Sequence, residues 1–427
     1  MKVFHILPPT NTKMEMPFSN WDLASEAYLR SKGKDVDIYR GKFFDSAVFA
    51  HQVQRSKPDI LYMTCIWTNM HYCFVLAELV KKIDSHIYIV VGGSPVTAIH
   101  KVILERVPWV DAVIRGEVEE TLIETIDCLE ERKRHAHLAN VRGLSYRSSG
   151  KILVNENRPF IKDLDSLPLP PKNMLKRYER SMGVFFPETG RGCPNSCSFC
   201  DVVDAWKRRV RKKSIDRTIE EIIYFKKHAK ARKFFFRDPI FTVNRSKVVA
   251  FCQSLIRNNV NIKWEVDTNL NCVDRDLLMI MKEAGCTGIV YGVESLSDRV
   301  LELTGKGFSS KLAVDVLKMT RQLGLRTDYC IVLGLPGETE KTLAETFCRI
   351  KKLGIYCHPS GVDLFQLFPG SRIYKKMEQQ GLISDEMWFN DPQGMDLFRK
   401  RFYSAEFQMT LAFYQQEICR LYRLERS

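Results

Sequence analysis

Three cysteines in one short stretch are the side chains of this chain best suited to redox chemistry. Cys193, Cys197 and Cys200 fall in Gly192-Cys193-Pro194-Asn195-Ser196-Cys197-Ser198-Phe199-Cys200, a C-x3-C-x2-C triplet with an aromatic, Phe199, before its last thiol. Three thiolates can hold three irons of a [4Fe–4S] cluster and leave the fourth iron open. An open iron can chelate a small molecule and pass it one electron. Cys193, Cys197 and Cys200 are therefore the candidate metal ligands and the candidate catalytic centre. Zinc normally takes four protein ligands in a closed site, and no fourth cysteine or histidine lies close by in the sequence. Chance clustering is the plain alternative in a chain with 13 cysteines.

Such a loop must be carried by a large scaffold, and 427 residues leave room for two or three domains. Hydrophobic content of 45% beside 27% charged residues is ordinary for a globular enzyme. No run of about 18 apolar residues occurs, so no membrane span is expected. The start, Met1-Lys2-Val3-Phe4-His5-Ile6-Leu7-Pro8-Pro9-Thr10, reads as a strand and its loop and lacks the longer apolar region of a signal peptide. Scattered cysteines with one cluster-like triplet argue for a reducing, cytoplasmic setting over a disulfide framework.

The first block, residues 1–140, alternates strands with helices. Val3–Leu7, Val36–Ile38, Asp59–Thr64, Ile87–Val91 and Val110–Ile114 read as strands, and His71–Lys82 as a helix. The alternation predicts an α/β fold with a doubly wound, Rossmann-like parallel sheet. Ligands in such sheets lie beyond the carboxyl ends of the strands. Those ends here are Pro8-Pro9-Thr10, Thr64-Cys65-Ile66-Trp67-Thr68, Gly92-Gly93-Ser94-Pro95 and Arg115-Gly116-Glu117. Residues 141–181 read as a hairpin and a proline-rich linker ending near Leu167-Pro168-Leu169-Pro170-Pro171.

A second alternating block, residues 182–381, predicts strands at Gly183–Thr189, Phe234–Arg237, Lys263–Asp267, Gly288–Val293, Arg326–Leu333 and Gly361–Leu367. Six such units fit a partial (β/α)6 barrel, with the cysteine loop leaving the first strand at the face where the strands end. Asp238 ends the second strand, and Gly292 and Glu294 end the fourth. Glu294 could equally satisfy backbone amides at a helix start. Residues 382–427 are rich in aromatics at helical spacing and read as short helices that pack on the barrel or cap it.

The cysteine triplet with Phe199 resembles the cluster loop of the radical S-adenosylmethionine (SAM) superfamily. The segment Gly288-Ile289-Val290-Tyr291-Gly292-Val293-Glu294-Ser295 resembles that family's SAM-contacting fourth strand. In the first block, Lys57-Pro58-Asp59-Ile60, Val90-Val91-Gly92-Gly93 and Asp111–Thr121 resemble the cobalamin-binding domain that precedes the core in one subclass. The resemblance implies a [4Fe–4S] cluster, SAM and cobalamin as cofactors. It places Phe199, Asp238, Gly292 and Glu294 near SAM, and Pro9, Thr10, Thr64, Trp67, Thr68, Gly92, Gly93, Gly116 and Glu117 around the corrin. No D-x-H-x-x-G stretch supplies a histidine to cobalt, so Trp67 and Thr68 are expected to line its lower face.

The implied reaction is reductive cleavage of SAM to a 5′-deoxyadenosyl radical, followed by cobalamin-dependent methylation of an unactivated carbon. The alternative is a radical reaction without methylation, such as ring contraction, rearrangement, dehydrogenation or transfer of another SAM fragment. A non-catalytic iron–sulfur or RNA-binding protein is the third class, and a binding module would need neither the triplet nor Glu294. Expected partners are a small-molecule or peptide substrate and an external one-electron reductant of flavodoxin or ferredoxin type. The net charge of +14 concentrates between Trp206 and Lys233. That segment reads either as a solvated helix face and loop beside the cluster, or as a patch for phosphate-bearing substrates, RNA or acidic partners.

Overall fold

The computed structural model describes residues 1–8, 20–40, 45–131, 138–175, 184–390 and 397–426. The chain forms two units, Met1–Pro171 with Phe368–Gly394, and Lys172–Leu367 with Met395–Ser427.

The first unit is built on β1 (Lys2–Leu7), β2 (Asp35–Arg40), β3 (Ile60–Thr64), β4 (Tyr88–Gly92) and β5 (Ala112–Ile114), followed by the hairpin β6 (Leu144–Ser148) and β7 (Lys151–Val154). The sheet order is β2-β1-β3-β4-β5-β6-β7. β1 to β5 run parallel, and β6 and β7 join antiparallel. Ile60–Met63, Ile89–Val91 and Ala112–Ile114 are buried throughout, as expected where helices cover both faces of a parallel sheet. Strand order reverses between β1 and β3, which opens a crevice at their carboxyl ends.

Two boundaries differ from the sequence expectation. The hairpin read as part of a linker pairs with β5, Ala112 opposite Tyr146, and so extends the first sheet. Residues 368–394, divided in the sequence reading between barrel and C-terminal helices, pack with the first unit. Their aromatics supply the reason: Phe368 and Trp388 lie on Trp67, and Phe389 stacks on Phe74.

In the second unit the strands are β8 (Val184–Phe185), β9 (Gly190–Arg191), β10 (Arg211–Lys212), β11 (Lys233–Phe236), β12 (Lys263–Thr268), β13 (Cys286–Glu294), β14 (Arg326–Leu333) and β15 (Val362–Leu364). Six of them form a parallel sheet in the order β15-β14-β13-β12-β11-β8. Helices Ile215–His228, Arg245–Arg257, Arg275–Glu283, Ser310–Gln322 and Glu340–Leu353 connect them. This is the open six-stranded barrel read from the sequence. Its first strand is shorter than expected, because Gly190–Arg191 turns away to pair antiparallel with β10.

Side chains alternate across this sheet. Phe234, Phe236, Trp264, Ile289, Tyr291, Tyr329 and Ile331 are buried beneath the helices, and Trp264 donates its Nε1–H to the Ala284 carbonyl, 2.9 Å away. The other face carries Phe235, Glu265, Asp267, Val290, Gly292, Asp328 and Cys330. Asp267, Val290 and Asp328 stand in register across β12, β13 and β14. The C-terminal helix Ala405–Arg426 belongs to this unit, with Tyr414 against Phe347 and Gln415 donating to the Val362 carbonyl. Among the described residues no helix is long and apolar enough to cross a membrane.

Candidate functional site

The cysteine loop is held by backbone contacts on two sides. Gly192 takes φ +98°, and a Cβ there would overlap the Arg209 carbonyl oxygen, so only glycine fits. The Arg208 guanidinium donates to the Pro194 carbonyl, 3.0 Å away, and the Ser198 N–H donates to the Thr304 carbonyl at 2.9 Å. Cys193 and Cys197 are buried, while Cys200 and Phe199 are half-buried. Burial raises all three thiols, Cys200 to about 12. Ligation by iron is what would ionise them. Among the described residues no three Cys, His, Asp or Glu side chains stand close enough to share one metal ion. A [4Fe–4S] cluster asks for a different arrangement, one thiolate on each of three irons.

Beside the loop stands an ion pair that the sequence reading half anticipated. A register shift between Gly292 and Glu294 marks a bulge at the end of β13, and bulges re-aim side chains. Glu294 has φ +68°, the left-handed region that a non-glycine residue occupies at a cost of about 1–3 kcal/mol and mostly at functional sites. Its Oε1 meets Lys306 Nζ at 3.2 Å, and Lys306 is 7% exposed. Burial alone would lower the Lys306 pKa, yet Glu294 and then Cys197 outweigh it and raise the pKa. A Cβ on Gly292 would lie 2.9 Å from Glu294 Oε1 and 3.4 Å from Lys306 Nζ. Glu294 does not cap a helix, since the next one starts at Asp298. Lys306 escaped the sequence reading. The signal was there in Gly305-Lys306-Gly307, a lysine between two glycines that both take positive φ.

Asp238, expected near SAM, is 3% exposed and fully engaged. It accepts from the Thr189 N–H and hydroxyl and from Lys212 Nζ at 2.7 Å. The structure thus gives it the strand that leads into the cysteine loop. Asp267 was not singled out, yet burial raises its pKa to about 6, and its Oδ2 pairs with Arg237 Nε at 3.1 Å. Cys330 is held at about 12, first by burial and then by Glu294, Asp267, Asp328 and Asp363 around it. By register Asp267, Asp328 and Asp363 stand on the same face of the barrel sheet as Cys330, the polar one.

In the first unit the strand-end loops are laced together. The Cys65 N–H donates to the Gly92 carbonyl at 2.7 Å, and Gly93 (φ +140°) sits so close that a Cβ would overlap the Cys65 oxygen. Thr97 Oγ1 donates to the Gly93 carbonyl and accepts from the Gly116 N–H at 3.1 Å. Asn69 binds the Ile66 N–H and the Thr64 carbonyl. Thr64, Gly92, Gly93 and Gly116 are thus brought together. Pro9 and Thr10 lie outside the described residues, and Thr68 is half-buried in the same turn as Trp67. Glu117 is taken by another task, its Oε2 accepting from the Ile161 N–H at 2.7 Å. His71 lies at the start of helix Met70–Ile83, and burial lowers its pKa.

Trp67 is packed from behind by Phe368, with ring centroids 5.0 Å apart, and Trp388, at 5.6 Å. Trp388 Nε1–H donates to the Tyr374 hydroxyl, which donates to Asp385. His5, also missed, lies wholly buried with Nε2 3.0 Å from Thr64 Oγ1 and no partner for Nδ1. Burial holds it neutral, with a pKa near 3. Close-set backbone at the strand ends and a braced indole suit a flat macrocycle. The pinned thiol loop suits a cluster.

Comparison with known proteins agrees with both. Residues 188–349 match the radical SAM superfamily, and residues 24–126 match the B12 binding domain. An uncharacterized methyltransferase of Pyrococcus horikoshii is 28% identical over 91% of this chain and 85% of its own length. An anaerobic magnesium-protoporphyrin IX monomethyl ester cyclase of Rubrivivax gelatinosus is 26% identical over 81% of this chain, and the match spans 65% of that protein's length. Among solved structures, the radical SAM methyltransferase TsrM from Kitasatospora setae, with cobalamin and a [4Fe–4S] cluster bound, resembles the chain with a TM-score of 0.72 at 16% identity. That likeness covers 89% of this chain and 75% of TsrM, and speaks for the fold.

Proposed function

We propose that this chain, which belongs to the radical SAM superfamily and carries a B12 binding domain ahead of the core, cleaves SAM reductively and methylates an unactivated carbon with the help of cobalamin. The observation that carries the reading is the pinned loop of Cys193, Cys197 and Cys200 beside the part-buried Glu294–Lys306 pair. When bound, the cluster supplies the electron that turns SAM into a hydrogen-abstracting radical, and cobalamin supplies a methyl carrier.

The chain's own residues bind and orient. Cys193, Cys197 and Cys200 would hold three irons, and Asp238 fixes the strand before them through Thr189 and Lys212. SAM carries a sulfonium, an ammonium and ribose hydroxyls. Glu294, Asp267 and Asp328 offer carboxyls to such a cation, and Gly292 leaves room for its close approach. Lys306 keeps Glu294 in place between ligands. In the first unit Thr64, Gly92, Gly93 and Gly116 would provide the backbone that holds a corrin, and the braced Trp67 ring would line the same site.

The similarity to a cyclase favours one second reading, a radical reaction without methyl transfer. Anaerobic incubation of the reconstituted protein with SAM, hydroxocobalamin and a reductant separates the two without the substrate. Methylcobalamin with S-adenosylhomocysteine supports methylation, and 5′-deoxyadenosine alone supports the second reading. If none of these forms, the radical assignment fails.

A further inference from the structure

A cluster that acts by giving one electron at a time must be recharged from outside, so the surface nearest its loop matters. The basic segment supplies that surface, although most of its cations are already engaged. Lys212 pairs with Asp238, Lys213 and Arg217 with Glu221, and Lys233 with Glu265. Lys226 donates to the Asn261 carbonyl, and Arg211 lies over the Trp206 ring. The segment is therefore no continuous basic stripe. Three consecutive exposed cations stand in one turn, Lys207-Arg208-Arg209, while the other exposed ones, among them Lys227, Lys230 and Arg232, lie further along, at the end of helix Ile215–His228 and after it. Among the described residues Lys207 and Arg209 make no ion pair.

This turn is fixed in place. Lys207 and Arg208 both take left-handed backbone, φ +48° and +56°, and Arg209 N–H closes the turn on the Trp206 carbonyl at 2.9 Å. Two contacts tie it to the cysteine loop, Arg208 to the Pro194 carbonyl and the Arg209 carbonyl against Gly192. Three exposed cations are thus presented beside the loop of Cys193, Cys197 and Cys200.

We propose that Lys207, Arg208 and Arg209 form the docking surface for an acidic one-electron donor protein, an inference that rests on the cluster reading above. Docking there would let one electron pass from the donor's reduced cofactor to the cluster, the donor being oxidised and the cluster reduced by that single electron with no proton crossing. A net charge of +14 adds long-range attraction for such a donor. An RNA would need a longer run of free cations to track its phosphates, and the ion pairs at Lys212, Lys213, Arg217 and Lys233 interrupt that run.

The test is stopped-flow reduction of the full-length, reconstituted protein, anaerobically, by a reduced acidic flavodoxin and separately by dithionite. The variants are Lys207→Glu with Arg209→Glu, and the neutral pair Lys207→Asn with Arg209→Gln, each checked for iron content. Both leave the Gly192 and Pro194 contacts, which use the Arg209 backbone and Arg208. Steered encounters gain about 10- to 1,000-fold in rate and lose it with salt. The charge-reversed pair should therefore slow flavodoxin reduction about tenfold or more at low ionic strength, flatten its salt dependence and weaken flavodoxin binding in a titration, with the neutral pair intermediate. Dithionite reduction should stay unchanged. Equal flavodoxin rates in all three proteins overturn the proposal. So does retardation of a labelled single-stranded RNA that is lost on charge reversal while flavodoxin kinetics hold. A wild-type chain that binds no iron overturns the cluster reading as well, whereas iron-replete protein with unchanged rates overturns the docking surface alone.

Discussion

Lys306 Nζ lies 3.2 Å from Glu294 Oε1, and this pair of a buried lysine and a half-buried carboxylate joins the end of β13 to the turn that also holds the cysteine loop. Gly305, next to Lys306, lies against the Ser196 carbonyl, where a Cβ would come within 3.1 Å. The pair therefore couples the end of β13 to the cysteine loop inside one unit.

That coupling sets the outcome of mutating Glu294. Truncating Glu294 leaves the buried Lys306 ammonium with neither a counter-charge nor this acceptor, which is costly for a buried cation. Glu294→Ala should thus destabilise the chain and lower iron content together. Glu294→Gln keeps an acceptor for Lys306 and removes only the charge. It should retain iron and lose tenfold or more in SAM affinity, the scale of about 1.5 kcal/mol for a charge-assisted bond. Equilibrium dialysis with labelled SAM, beside iron assays, reads both. Unchanged SAM affinity in an iron-replete Glu294→Gln protein would leave Glu294 a purely structural role.

Much of this was legible in the sequence, for identifiable reasons. The cysteine triplet, the glycine-flanked strand ends and the alternation of strand and helix are local signals, and the parallel character of both sheets follows from the alternation, whereas their strand order comes from the structure. Trp67's neighbours were not legible, because Phe368 and Trp388 lie some 300 residues away and no local pattern sends residues 368–394 back to the first unit. Lys306 was missed because its meaning comes from a bulge in β13. The pairing of Asp238 with Lys212 depends on the small β9–β10 ladder, whose two-residue strands leave almost no periodic trace.

The other cysteines offer a control for the cluster. Cys252 and Cys286 are buried, with pKa values raised by burial, and lie on a helix and a strand of the same unit. Changing Cys193, Cys197 or Cys200 to alanine should abolish bound iron after anaerobic reconstitution. Cys252→Ala and Cys286→Ala should keep it and only lower stability. Iron and sulfide assays decide, and iron retained in the Cys193→Ala, Cys197→Ala, Cys200→Ala triple variant would sink the ligand assignment.

Glu338 makes a prediction about pH. It is buried, its Oε2 accepts from the Gly334 and Leu335 N–H groups, Oε1 has no partner, and burial raises its pKa from 4.5 to about 7. The folded chain therefore holds this proton more tightly than the unfolded chain, and the stability so gained is fully present below about pH 4.5 and lost as pH rises to 7. Glu338→Gln stays uncharged throughout. It should match wild type near pH 4.5 and exceed it by roughly 3 kcal/mol at pH 8. Urea unfolding of both proteins at the two pH values measures the difference, and an equal gap at both would contradict a titrating Glu338.

Trp67 provides the sharpest test of the corrin site, sharper than the glycines. A side chain on Gly93 would overlap the Cys65 backbone, so such a variant would disturb the loop with or without a ligand. Trp67 instead presents a ring braced by Phe368 and Trp388, and aromatic pairs of this kind contribute about 0.5–1.5 kcal/mol beyond their burial. Trp67→Ala should remove the floor of the site and lower corrinoid retained after desalting, while iron bound in the second unit stays at the wild-type level. Trp388→Ala, one ring further back, should lower retention less, and Trp388→Phe should restore much of it because the stack survives even though the Tyr374 hydrogen bond is lost. Corrinoid and iron per chain, measured on the same samples, give the answer. Full corrinoid retention in Trp67→Ala would move the lower face of the cobalamin away from this indole.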